Sequence, residues 1–147
     1  GVSERRVLYV TGEEKTENVF DRALRMGLGS SPPPSLYLYA SDVIDDVLSA
    51  MRDLSPHVLV VDSLQTMRMR DVAGSPGCPT QVREVGQVLR YVANALGTTV
   101  LLIGHVTKSG VVAGPKMLEH MVDTVLFLEG ESTEGRRLLR VHKNRNG

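Results

Sequence analysis

Short runs of strand-forming residues alternate along this chain with stretches of helical periodicity, and that alternation restricts the fold more than any other feature. Strands joined through helices build a parallel sheet with helices on its faces. The first run, Arg6 to Thr11 (RVLYVT), meets Gly12 and a pair of carboxylates, after which Val19, Phe20, Ala23 and Leu24 recur at helical spacing between Thr16 and Met26. A Gly, Ser and Pro stretch, Gly27 to Pro34, breaks the chain before a second strand, Leu36 to Tyr39. Ser41 is expected to cap a helix, with Asp42 in its first turn, Val43, Ile44, Val47, Leu48 and Met51 on one face, and Pro56 at its end. The third strand, His57 to Asp62 (HVLVVD), is a continuous apolar run, as suits an interior parallel strand.

From Arg68 to Pro79 the sequence is rich in Gly, Pro and charge and reads as a mobile loop. A long helix follows from Thr80 to Leu96, with Val82, Val85, Val88, Leu89, Val92 and Leu96 on one side and Gly97 as its C-cap. A fourth strand, Thr98 to Ile103, ends at Gly104-His105. A second polar loop, Val106 to Pro115, leads to a short helix over Lys116 to His120, and Val122 to Leu128 with Arg136 to Val141 read as a hairpin.

Composition narrows the class of protein. With 147 residues, 41% hydrophobic and 23% charged, the chain is long enough for one core without staples. Its single cysteine, Cys78, excludes an internal disulfide framework and a four-cysteine zinc site. No apolar run approaches the roughly 18 residues of a membrane helix, and the N-terminus lacks the layout of a signal peptide, so a reducing, intracellular setting without membrane is expected. The 17 basic and 17 acidic residues balance, which argues against wholesale coating of nucleic acid but leaves room for local patches. The chain opens on Gly and stops at Asn146-Gly147, as a fragment would.

Ligands of an open parallel sheet bind beyond the carboxyl ends of its strands, so the polar residues there are the ones to weigh. Asp62-Ser63 ends an apolar strand in the manner of a Walker B segment, whose carboxylate holds Mg²⁺ through water; an Asp that starts a turn or caps a helix has the same pattern. Glu13 and Glu14 offer a general base for water, or a solvated acidic helix start. His105 offers a sensor of ligand, or a polar strand end. Lys143 and Arg145 are able to grip phosphate, or to lie in solvent. Arg68, Arg70 and Arg83 around the first loop, with Thr107, Lys108 and Lys116 around the second, suit nonspecific DNA contact, and equally suit ordinary connectors; neither loop has the aromatics of a stacking platform.

Taken in order, TGEE, LVVDS with LQT, PTQVRE, LLIGHVTKSG, VAGPKMLEHMVDTVLFLEGE and KNRNG resemble the RadA/Sms family, RecA-like ATPases of DNA recombination and repair. The resemblance covers nearly the whole chain. It implies an α/β RecA-like core, mainly a parallel sheet with flanking helices and a C-terminal hairpin, in a homo-oligomeric, hexameric ring. ATP lies between subunits, and single-stranded or branched DNA in the channel. By similarity Glu13 falls at the catalytic glutamate, with Glu14 beside it, Asp62 and Ser63 at the Mg²⁺ site, and His105 at the sensor. Arg68 to Pro79 and Val106 to Pro115 correspond to the DNA-facing loops. Lys143 and Arg145 match a motif whose cations reach the neighbour's ATP, although Asn146 stands where the family has Phe. The family further implies branch migration, a RecA-type recombinase as partner and a bacterial cytoplasm, or a chloroplast or mitochondrion for a eukaryotic copy.

No G-x-x-x-x-G-K-[ST] occurs in the chain. The resemblance places that loop just before the Val7 strand, so residues 1–147 are expected to be the later part of an ATPase domain. The family's N-terminal zinc module and C-terminal Lon-protease-like domain are missing as well. Loss of the phosphate-loop strand is expected to leave a gap in the sheet and an exposed apolar edge. The alternative is a paralogue without the loop, acting as a non-catalytic DNA-binding or structural partner in a mixed ring. A KaiC-like ATPase shares the core but lacks the run from GHVTK to LEHMVD.

Overall fold

A computed structural model describes residues 5–105, 115–131 and 135–147. The chain divides into two compact units, Gly1–Gly114 and Pro115–Gly147.

The first unit is an α/β layer built on a four-stranded parallel sheet of order β2-β1-β3-β4. Its strands are β1 (Val7–Thr11), β2 (Leu36–Ala40), β3 (Val58–Asp62) and β4 (Thr99–Ile103). Helices α1 (Thr16–Arg25), α2 (Ile44–Leu54) and α3 (Pro79–Leu96) connect them, with a single 3₁₀ turn, Leu64–Thr66, directly after β3. β1 lies inside the sheet, paired on one side with β2 and on the other with β3, where Leu8 faces Leu59, Val10 faces Val61 and Thr11 faces Asp62. Because side chains alternate along a strand, Leu8, Val10, Leu59 and Val61 all point to one face, and all are buried. The buried stripes of α2 (Ile44, Val47, Leu48, Met51) and α3 (Val82, Val85, Leu89) complete this core. Each such aliphatic side chain contributes about 1.5–3 kcal/mol on leaving water. The same alternation puts Tyr9 and Asp62 on the opposite, less covered face.

Among the described residues no strand pairs with the outer edge of β2 or of β4, and Leu101 of β4 is 52% exposed. Two expectations change. Ser41 does not cap α2. Its hydroxyl accepts from Val43 N at 3.1 Å in a local turn, while Val43 is held extended by a bridge to Arg68, so the helix begins only at Ile44 and carries Asp45 and Asp46 in its first turn. The segment from Arg68 to Cys78 is anchored rather than loose. Arg68 N donates to Asp42 O and Ile44 N to Arg68 O, at 2.8 and 2.9 Å. The side chain of Gln81, 1% exposed, accepts from Met69 N at 2.8 Å and donates to the carbonyl of Val72 at 2.6 Å. α3 itself starts at Pro79, a favoured first helical residue, and ends as expected at Gly97, whose φ of 66° is the left-handed conformation glycine adopts without strain.

The second unit holds α4 (Pro115–Glu119) and an antiparallel hairpin of β5 (Thr124–Glu131) and β6 (Arg136–Asn144), with a bulge at Val125/Leu126. Both strands run further than their apolar cores suggest. β6 takes in Lys143 and Asn144, the first two residues of the final motif.

Candidate functional site

The carboxyl ends of β1, β3 and β4 lie side by side, and the backbone ties the first two together. Gly12 N donates to Asp62 O at 2.9 Å, extending the β1–β3 ladder past the strands. A Cβ on Gly12 would sit 1.9 Å from Thr66 Oγ1, which itself donates to Ser63 O at 2.7 Å. The turn after β3 therefore packs directly on the Gly12 backbone. Thr11, buried, uses its hydroxyl to accept from Glu14 N at 3.0 Å and so shapes the bend that carries both glutamates.

The two glutamates have separate fates. Glu14 is ion-paired with Arg22 of α1, and the hydrogen bond that guanidinium donates holds its carboxyl below the usual range. Glu13 is exposed and makes no side-chain hydrogen bond or ion pair among the described residues, so it is the one available to a water molecule. A shallow depression of about 270 Å³ is lined by both glutamates with Ser41 and Asp42, on the β2 side of the β1 terminus.

Asp62 is partly buried and receives a hydrogen bond from the Tyr9 phenol, Oη to Oδ2, at 2.5 Å. Burial in the first place, then this bond, pushes the Tyr9 pKa well above its ordinary value, so the phenol stays a donor at neutral pH. Next to Asp62, Ser63 is 2% exposed and its Oγ has no hydrogen-bond partner. No group of three His, Cys, Asp or Glu among the described residues is placed to hold a metal ion. One carboxylate with an unpartnered buried hydroxyl beside it fits Mg²⁺, a hard cation that keeps several waters and takes substrate oxygens, and does not fit an all-protein cage. Across β3, the Gln65 side chain bridges to the end of β4, donating to His105 O at 3.3 Å and accepting from His105 N at 3.4 Å. The imidazole of His105 itself is exposed.

The cations expected to meet phosphate mostly face carboxylates or carbonyls of their own unit. Arg68 pairs with Asp42 at 3.0 Å, Arg70 with Asp46 at 3.2 Å and Arg83 with Glu84 at 3.0 Å, all partly exposed. Thr107 and Lys108 lie outside the described residues, and of Lys116 only the backbone, in the first turn of α4, is described. In the second unit, Lys143 Nζ donates to the carbonyls of Glu119 and Val122, the latter at 2.9 Å, and thereby caps the end of α4. Arg145 pairs with Asp123 at 3.1 Å.

Tyr9, Gln65 and Gln81 are the residues that sequence reasoning missed. For Gln81 a signal exists: it stands one helical turn before Val85 on the buried stripe of α3, and a polar residue at a core position must find partners. Tyr9 gives none until the β1–β3 register is known.

Three comparisons bear on the site. A family profile described as "AAA domain" matches residues 1–111. The chain is 42% identical over 145 residues to a protein of Bacillus subtilis named DNA repair protein RadA, covering 99% of this chain and 31% of that one. Proteins of the same name from Pseudomonas aeruginosa and Escherichia coli are 46% and 41% identical, over 95% and 98% of this chain. The chain thus spans about a third of the length of the curated relatives it matches. Among solved structures, a KaiC-like protein from Pyrococcus horikoshii OT3 superposes with a TM-score of 0.66, covering 97% of this chain and 68% of that one. At 17% identity that likeness carries the fold alone.

Proposed function

Because the chain belongs to the AAA domain family, and within it to the RadA family of DNA repair proteins with a RecA-like ATPase fold, we propose that it is the portion of a DNA-repair motor that follows the phosphate loop. In this reading Glu13 is the general base that orients water toward the γ-phosphate, Asp62 and Ser63 hold Mg²⁺, and His105 senses the phosphate. The observation that carries it is the adjacency of β1, β3 and β4, which sets Glu13, Asp62 and His105 along one edge of the sheet. Mg²⁺, when bound, supplies charge neutralisation for the phosphates.

The triphosphate must then reach Asp62 and His105 together, on the β4 side of β3. The phosphate loop is accordingly proposed to come from sequence outside these residues and to lie beside the open edge of β4. Single-stranded or branched DNA is the proposed polymer, with branch migration in a hexameric ring, alongside a RecA-type recombinase, as the work done. Arg68 to Pro79 and Val106 to Pro115 form the proposed DNA-facing segments. Lys143 and Arg145 act on a neighbour's nucleotide in this reading only by leaving the carbonyls and the carboxylate they hold. No helix among the described residues is long and apolar enough to cross a membrane, which accords with the cytoplasmic setting we propose.

A second reading, a non-catalytic partner in a mixed ring, draws on the engagement of both motif cations within their own unit. Glu13→Gln in the full-length protein separates the two. The enzyme reading expects ATP turnover to fall by at least about 100-fold with nucleotide affinity retained, since only the base is lost. Turnover unchanged by the substitution assigns the base to another residue, and no turnover by the unsubstituted full-length protein favours the partner reading.

A further inference from the structure

On the less covered face of the sheet, Tyr9 stands at the middle of β1 and reaches across to the last residue of β3, its Oη 2.5 Å from Asp62 Oδ2. A phenylalanine would fill nearly the same space, so packing alone does not call for the hydroxyl. What the hydroxyl adds is a fixed donor to one oxygen of the carboxylate. A carboxylate at a strand end is free to turn about its last torsion, and holding one oxygen sets where the other points.

The choice of a phenol matters. A lysine or arginine in its place would orient the carboxylate but also cancel its charge and oppose a cation. The cation that acts electrostatically on both Tyr9 and Asp62 is Arg22, and its guanidinium is bound by Glu14. Asp62 thus keeps a neutral donor on one oxygen while its cationic neighbour is engaged elsewhere, and the unpartnered Oγ of buried Ser63 lies at the next residue. These are the features of a carboxylate held in one orientation with one oxygen left open.

We propose that Tyr9 is a positioning residue for the metal-facing carboxylate, its phenol holding Asp62 Oδ2 and leaving Oδ1 for the water shell of a divalent cation. The proposal rests on the assignment of Asp62 to the Mg²⁺ site. Partners that orient a metal-facing group typically change metal affinity by roughly 10–100-fold when removed.

The test uses the full-length protein with Mn²⁺ as the probe, free Mn²⁺ being followed by electron paramagnetic resonance in the presence of ATPγS. Tyr9→Phe, Asp62→Asn and the double variant are compared, with metal-free ATPγS affinity and thermal unfolding measured alongside. Tyr9→Phe is expected to raise the half-saturating Mn²⁺ concentration about tenfold, with metal-free nucleotide affinity and melting temperature near those of the wild type. Asp62→Asn is expected to raise it further, and the double variant no more than Asp62→Asn. An unchanged Mn²⁺ requirement in Tyr9→Phe beside a shifted one in Asp62→Asn overturns the role of Tyr9 and leaves the metal assignment standing. An unchanged requirement in Asp62→Asn overturns both. A Tyr9→Phe protein that loses stability or metal-free nucleotide binding in step with Mn²⁺ makes the hydroxyl a structural bond and also overturns the proposal.

Discussion

Gly12 carries no side chain because Thr66 already occupies the place where one would go. Gly12→Ala must push the 3₁₀ turn after β3 away from the end of β1, and overpacking of this kind costs about 1–3 kcal/mol. The expected result is a lower denaturation midpoint in urea with an unchanged slope, together with slower ATP turnover, because Glu13 moves with the bend. A midpoint equal to the wild type's would mean that the turn yields freely. At this scale the sequence announced Glu13, Glu14, Asp62 and His105, since each is polar and ends an apolar run. It did not distinguish the glutamates, because the partner of Glu14 is Arg22 on the helix that follows, brought back by the bend at Thr11. Nor did it announce Tyr9, which looks like any β-forming residue until pairing with β3 brings Asp62 within reach.

Among the elements, the 68–78 segment shows what local composition misses. Glycine, proline and charge describe its surface, whereas its shape is set from α3, where Gln81 holds Met69 N and the carbonyls of Met69, Val72 and Gly74. Gln81→Leu fills the space but leaves these backbone groups without a partner, at a cost of about 1–3 kcal/mol for a buried group so orphaned. Hydrogen exchange at Met69 and in the residues up to Cys78 is expected to quicken, with β1 and β3 protected as before. Unaltered exchange there would show that the segment is held by other contacts. The extent of α3 was readable from its valines and from Gly97, both local signals. The start of α2 was not, because the bridge between Val43 and Arg68 joins positions far apart in the chain and overrides the capping tendency of Ser41.

At the scale of the molecule, periodicity was enough for a parallel sheet and a terminal hairpin, but it carries no information on strand order. The order β2-β1-β3-β4 leaves β2 and β4 as outer strands, and the terminal hairpin forms a separate two-stranded sheet. The four strands over residues 7–103 pair with one another while, in the proposed reading, their phosphate-binding neighbour lies beside β4. The isolated 147 residues are expected to bind ATP poorly and to hydrolyse none, and equilibrium binding of labelled ATP at micromolar affinity by that polypeptide would contradict the placement of the phosphate loop. The other edge has a different meaning. β2 is the outermost strand on its side, and Gly27 to Pro34, mostly exposed, lead into it. An insertion or deletion in that exposed lead-in is expected to be absorbed before the chain reaches β2, so the edge of the sheet is where length can change with least disturbance to the proposed centre at the ends of β1, β3 and β4.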